Sequence, residues 1–407
     1  MDNVTHTLIG ITAAETFLAA RARRGPRPSL RAPIYLASII GNNLPDIDFV
    51  IPWMLGGGKL NYLLHHRGHT HTFLVAIAMM AITTWILVRF FKTARADWKW
   101  VAGAALLGGC LHILADAMNN YGVHPFFPFY NGWIYGDAVF IVEPLLIFTM
   151  APLAFFRART HVARAVWILI VVLVLGLAWF GPFTPAVVAG FATIFLALQI
   201  FAQHRTDALK VALITVTATL ANFFFASTVA KRNVTATLLS QVSAAEILQL
   251  SATPLPANPL CWSMLVASRE GADYVTRLGT LSLAPTLMPV SRCINWRFTG
   301  ARTAPSVTPA LHADGQQWLA EYSRPVDEFR RLYEENCYFA AGNRYFRVPF
   351  WIPDRAGYRV GDLRYDREAG EGFTEFSIPA QPESCPRAVP PWNPPLQELV
   401  TSARSTD

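Results

Sequence analysis

The sequence predicts an all-α polytopic membrane domain of seven to eight helices followed by a smaller α+β soluble domain. Three observations predict it. Of the 407 residues, 53% are apolar and only 15% are charged, where a soluble domain carries about 25% charged residues. Long uncharged runs fill the chain as far as residue 230 and then stop. Beyond that point lie 17 of the 28 prolines. A mean hydropathy of +0.31 excludes a wholly soluble protein. The net charge of +7 could signal nucleic acid, but basic residues flanking membrane helices shift the balance in the same way.

Five runs have the roughly 17–25 residues that a bilayer core demands: 72–88, 100–115 continuing to 119, 165–182, 185–203 and 211–230. Three more apolar segments, 5–20, 33–54 and 134–156, carry polar residues of interest. The start, Met1-Asp2-Asn3, lacks the basic n-region of a secretory signal. If all eight segments span, one set of loops holds Arg21, Arg23, Arg24, Arg27, Arg31, Lys92, Arg95, Lys99, Arg157, Arg159, Arg164, Arg205 and Lys210. The opposite loops, 55–71, 121–133 and 183–184, hold only Lys59 and Arg67. The positive-inside rule then puts the amino terminus, those loops and everything after residue 230 outside. Lys231 and Arg232 run against the rule.

The remainder divides into an external domain over 231–380 and a proline-rich tail over 381–407, expected to be extended or disordered. Mixed β-branched and aromatic stretches at 345–351, 358–360, 362–365 and 373–378 read as strands and turns. Segments 243–250 and 327–336 read as helices. Cys261, Cys293, Cys337 and Cys385 lie in this region without a C-x-x-C pair. An even number in an external compartment predicts one or two disulfides; unpaired cysteines facing the cytosol are the alternative. Cys110, inside a membrane segment, reads as a packing residue.

Ionisable groups in membrane segments are costly and point to function. His6 heads the first segment, and Asp46 and Asp48 follow Pro45, which interrupts the second. His65, His66, Arg67, His69 and His71 precede the third, and His112 and Asp116 lie one turn apart on one helix face. Asp137 and Glu143 mark the fifth. Under the loop topology these groups share one depth, near the outer surface. Imidazole and carboxylate suit zinc, and manganese or iron in mixed nitrogen and oxygen sites. The set could hold two or more ions, and a pair about 3.5–4 Å apart would activate water for hydrolysis. Competing structural readings are a helix-tying pair for His112 and Asp116, caps for Asp46 and Asp48, and a core hydrogen-bond partner for Glu143.

These residues resemble the YdjM-type membrane-bound metal-dependent hydrolases, also called the LexA-binding, inner membrane-associated group. The resemblance is carried by Thr5-His6 with Gly10, Pro45-Asp46-Ile47-Asp48, His66-Arg67-Gly68-His69-Thr70-His71, His112-x-x-x-Asp116 with Gly122 and Pro125-Phe126, and Gly136-Asp137 through Glu143-Pro144. It covers residues 5–145, leaving 165–230 as additional scaffold helices. Where the family usually has Ser and Asp, this chain has Thr72 and Glu143. The His and Asp arrangement is more distantly similar to zinc-dependent phospholipase C and single-strand nucleases.

The resemblance implies metal-ligand status for His6, Asp46, Asp48, His66, His71, His112 and Asp116, and also for Asp137 and Glu143. Arg67 suits an anionic substrate group, and Asp48 or Asp116 would serve as general base. The expectation is a multi-pass inner-membrane hydrolase, its site and carboxy-terminal domain facing the periplasm or exterior. It would use zinc on a phosphoester or other ester of a lipid-like or amphipathic substrate drawn from the bilayer, with no nucleic-acid partner. Two other classes compete. A proton- or metal-ion-coupled transporter would place polar groups at several depths, and a membrane-anchored binding protein would act through residues 231–407.

Overall fold

A computed structural model describes residues 1–25, 27–56, 58–180, 185–293, 302–366 and 368–400. The chain opens with α1 (Asn3–Ala22), capped by Asp2, whose carboxylate accepts the Thr5 N–H at 3.0 Å. Next comes α2 (Arg31–Gly41), packed closely against its neighbours. A Cβ on Gly41 would lie 2.5 Å from the Ala105 carbonyl oxygen, and one on Gly108 would lie 2.7 Å from that of Ser38. Small residues of this kind let membrane helices approach backbone to backbone. Where the proline was expected to interrupt the segment, α2 gives way to a 3-10 turn over Leu44–Phe49. The short helices α3 (Val50–Met54) and α4 (Lys59–His65) follow.

Among the described residues, five helices are long and apolar enough to cross a membrane: α5 (Phe73–Phe90), α6 (Trp98–Ala117), α8 (His161–Phe180), α9 (Ala186–Arg205) and α10 (Ala208–Gln241). Of the other three expected spans, α1 carries His6 and α2 leads into the turn that bears Asp46 and Asp48, both helices lying against α6, while α7 (Pro144–Arg157) begins at its proline and has 14 residues. The expected loop at 183–184 lies outside the described residues. The boundary expected at residue 230 falls inside α10, whose 34 residues extend about 51 Å at 1.5 Å per residue. Its last turns pack Val234 and Leu238 with Trp262, Met264 and Trp318.

The carboxy-terminal region is α+β. Strands β1 (Ala245–Leu255), β2 (Asn258–Glu270), β3 (Asp273–Ser282) and β4 (Gln316–Pro325) form an antiparallel meander in sequence order. After α11 (Val326–Glu335) and α12 (Cys337–Gly342), strands β5 (Pro349–Asp354), β6 (Gly357–Asp362) and β7 (Phe376–Pro379) form a second antiparallel sheet. Segment 243–250, read as a helix, enters β1 because it pairs along its length with β2, from Ala245 opposite Glu270 to Leu250 opposite Val266. Two disulfides close the region, Cys261–Cys293 and Cys337–Cys385.

The tail does not run free between residues 381 and 400. Trp392, Leu396 and Leu399, the last in α13 (Gln397–Val400), are fully buried. Trp392 donates its indole N–H to the Leu64 carbonyl at 2.9 Å and stacks on His124 at 4.2 Å. His124 is also 3.8 Å from the Trp133 ring, and burial lowers its pKa to about 3, so it acts as a neutral aromatic spacer. Residues 401–407 of the expected tail lie outside the described residues.

Candidate metal centre

The up-and-down course of the helices brings the start of α1, the turn after α2, the start of α5 and the end of α6 to one end of the bundle. There Asp46, His71, His112 and Asp116 converge, each offering one ligand atom, all within 4.8 Å of one another. His71 Nε2 lies 3.0 Å from His112 Nε2, 3.4 Å from an Asp46 oxygen and 3.2 Å from Asp116 Oδ2. His112 Nε2 lies 3.6 Å from Asp46 and 3.5 Å from Asp116. Ligands of a tetrahedral ion with bonds of about 2.0–2.1 Å would be about 3.3 Å apart, so these separations fit one ion.

The outer ring nitrogens determine which atoms face inward. His112 Nδ1 is 2.7 Å from the Asn42 carbonyl oxygen, which can only accept, so Nδ1 carries the proton and Nε2 presents a lone pair. His71 Nδ1 lies 3.3 Å from Asp48 Oδ2 and 3.1 Å from the Thr70 hydroxyl, which favours the same tautomer. Two lone pairs 3.0 Å apart repel unless a cation sits between them. Histidine ligands are usually held in this way by a carboxylate or carbonyl on the far nitrogen. In addition, both His6 ring nitrogens are buried with no hydrogen bond among the described residues. The donor chemistry and these unsatisfied nitrogens together fit a metal ion.

The other expected residues take different places. His6 is next to the group: its ring stacks on His112 at 3.9 Å and its Nε2 lies 3.3 Å from Asp116 Oδ1. Asp48 stands behind it. Its oxygens accept from His66 Nδ1 at 2.9 Å, the Arg67 N–H at 2.7 Å and the Thr70 hydroxyl at 3.0 Å. Arg67, at a positive φ of 58°, is held there by the Asp48 bond. Its guanidinium reaches Asp116 and the Asn119 side chain, both at 3.0 Å, and lies over the Tyr121 ring. The Met1 amino group also contacts Asp116.

Asp137 and Glu143 are engaged away from the four-residue group. Asp137 is buried in a paired contact with Arg347, at 2.7 and 3.0 Å, and with Lys231 at 3.1 Å. This contact fastens the carboxy-terminal region to the bundle and gives a place to the lysine that broke the charge rule. Glu143 caps α7 and accepts the Ala257 N–H at 3.2 Å from the turn after β1, in keeping with a core hydrogen-bond partner.

Sequence reasoning missed Asn42, whose carbonyl accepts from His112 Nδ1, Thr70, whose hydroxyl meets both Asp48 and His71, and Asn119, whose side-chain oxygen accepts from Arg67. Their only trace was adjacency to the His and Asp blocks. It also missed Glu15, the one charged residue in the 5–20 segment, which is buried at the other end of the bundle.

A cleft of ≈ 630 Å³ opens beside the centre. Asp46, His66 and Arg67 form part of its wall, and Ile40, Ile47 and Phe49 supply apolar surface. Phe49, Trp53 and Met54 next to it are 63, 79 and 73% exposed.

The sequence model of the YdjM inner membrane protein family matches residues 1–186. The uncharacterized protein YfhP of Bacillus subtilis is 28% identical over 150 residues, which cover 36% of this chain and 43% of that protein. The chain therefore spans under half the length of this relative. No solved structure matches the chain. Residues 1–186, the helical part that bears the His and Asp residues, are thus similar to the YdjM inner membrane protein family.

Proposed function

We propose that the protein is a membrane-embedded, metal-dependent hydrolase acting on a phosphoester or other ester of a lipid or amphipathic substrate. The observation carrying this reading is the convergence of two imidazole lone pairs and two carboxylates at ligand spacing beside a cleft that is both polar and apolar.

Zinc is the ion we assign to Asp46, His71, His112 and Asp116; manganese and iron accept the same donors. When bound, such an ion supplies Lewis acidity and lowers the pKa of water to about 7. The four-residue group would hold one ion; a second would need further donors, and His6, whose ring nitrogens make no hydrogen bond among the described residues, stands next to the group.

The chain's own residues then have distinct roles. Arg67 offers a fork that matches a phosphate or carboxylate, with Asn119 and Tyr121 setting its position. Asp48 holds His71, His66 and the Arg67 backbone, so its oxygens are occupied by donors. Asp46 lines the cleft; one of its oxygens would hold the ion, and we assign the other the role of accepting a proton from water. The exposed Phe49, Trp53 and Met54 suit the interfacial layer of a bilayer, where a head group can enter the cleft while its chains stay in lipid. The site and the carboxy-terminal region face the periplasm or exterior, a reading supported by the basic loops at the other end and by the two disulfides.

The test is elemental analysis of the purified chain together with His112→Ala and Asp116→Ala, followed by hydrolysis of defined phospholipids in mixed micelles. Stoichiometric metal that both variants lose, with turnover lost in parallel, is the expected result. Absence of metal, or metal retained in both variants, defeats the assignment. Glu15 favours one other reading, ion-coupled transport, because it places a buried carboxylate at a second depth. Metal-ion or proton flux in proteoliposomes without hydrolysis would select it.

A further inference from the structure

At the end of the bundle opposite the metal centre, α1 and α2 diverge from α7 and α8 to leave a second cleft of ≈ 350 Å³. Arg31, Arg157 and Arg159 line it, with Ile11, Tyr35 and Trp167. We propose that this cleft binds the phosphate of an anionic phospholipid in the leaflet facing the basic loops.

The site is built around Glu15. Its buried carboxylate meets Arg31 Nη2 at 2.9 Å and Arg157 Nε at 3.1 Å. It also accepts a short hydrogen bond from the Tyr35 hydroxyl. Arg31 is fixed further by the Tyr35 oxygen at 2.8 Å, the Arg157 carbonyl at 3.1 Å and the Tyr35 ring, 4.6 Å from its guanidinium carbon.

One carboxylate therefore orients two guanidinium groups while neutralising only one of them. The Nη atoms of Arg157 have no partner among the described residues, and neither has the exposed side chain of Arg159. Preoriented guanidinium forks with unused N–H groups and a net positive charge match a phosphate monoanion. Basic pockets between membrane helices at this end are where phospholipid head groups are recognised.

A lipid, as opposed to a free anion, is indicated by the walls. Ile11, Ala154 and Trp167 carry the cleft into apolar surface, and α8, on its rim, is almost wholly uncovered by protein along its apolar length. Trp167 also borders a purely apolar groove of ≈ 330 Å³ between α7, α8 and α9, lined by Phe155, Val171 and Leu196, where an acyl chain can lie. A lipid seated here would tie α1 and α2 to the scaffold helices.

The experiment uses the full chain in detergent, with lipid retention counted by native mass spectrometry and melting followed in parallel. Phosphatidylglycerol, phosphatidylcholine and glycerol 3-phosphate are the three probes. Phosphatidylglycerol is expected to be retained and to raise the melting temperature, and the other two are not. Arg159→Ala, which removes no hydrogen bond or ion pair among the described residues, should weaken phosphatidylglycerol retention about fivefold, the value of about one cation near an anionic head group. Arg23→Ala, an exposed arginine at the same end but outside the cleft, should leave retention unchanged. Equal retention of phosphatidylcholine, or wild-type retention by Arg159→Ala, overturns the proposal. Glycerol 3-phosphate matching phosphatidylglycerol overturns the assignment to a lipid. Metal content, read on the same samples, should be unaffected by either variant.

Discussion

Replacing Asp48 by Asn should weaken metal binding without removing any residue of the four-donor group. Asp48 receives His66 Nδ1 and, on its other oxygen, the Arg67 N–H, the Thr70 hydroxyl and His71 Nδ1. An amide of the same shape can keep its oxygen toward the Arg67, Thr70 and His71 side. Its NH2 then faces His66, which can accept after a change of tautomer. The fold should therefore survive, but His71 loses the carboxylate charge that makes its Nε2 a strong ligand. Changes behind a ligand of this kind typically lower metal affinity about 10–100-fold, and a neutral amide that keeps the hydrogen bond belongs at the lower end, about tenfold. Asp48→Ala also strips the buried Arg67 N–H and Thr70 hydroxyl of their acceptor, at about 1–3 kcal/mol for each buried group left unsatisfied. It should lose both metal affinity and thermal stability. Competition against a chromophoric chelator, with melting curves on the metal-free protein, measures both quantities. Wild-type affinity in Asp48→Asn, or an equal loss of stability in the two variants, would refute the assignment of Asp48 as the residue that holds His71.

Asp137→Asn should leave metal content unchanged while loosening the carboxy-terminal region, because it leaves the buried Arg347 without its counter-ion; breaking such a pair costs about 3–5 kcal/mol, and limited proteolysis between residues 231 and 400 should accelerate. Gly108→Val should abolish both folding yield and metal, since even a Cβ there lies 2.7 Å from the Ser38 carbonyl; size-exclusion profiles and elemental analysis report it. Burial, with Asp366 and Glu368 nearby, raises the Glu375 carboxyl to about 7. The folded state therefore favours the protonated form, and stability should fall as pH rises from about 4.5, the unfolded value, through 7. Glu375→Gln should remove that slope and raise the melting temperature at pH 8, and an unchanged pH profile would count against it.

The long apolar periods of α5, α6, α8, α9 and α10 were legible because lipid allows few alternatives to a helix of that length. The site blocks were legible because a His or Asp in such a run stands out. The division of labour among the carboxylates was not. Asp46 and Asp48 are two residues apart in the same turn, and only the turn's geometry sends one to the centre and the other behind His71. Asp137 looked equivalent to both until Arg347, 210 positions away in sequence, showed its partner. Segment 243–250 read as a helix because an isolated stretch carries no information about the strand it will meet. The proline-rich tail read as free because its burial depends on one tryptophan finding the pocket beneath Leu64.

That tryptophan also orders events during synthesis. The loop bearing His66, Arg67 and His71 is made early in translation, and the segment that seats Trp392 against it follows more than 300 residues later. The same segment is tethered through Cys385 to Cys337, a bond that forms in an oxidising compartment. During that interval the nascent chain presents its His and Asp residues with the outer wall still incomplete. If the four-residue group holds the ion proposed for it, capture can precede closure, and the disulfide-tethered tail completes the wall afterwards.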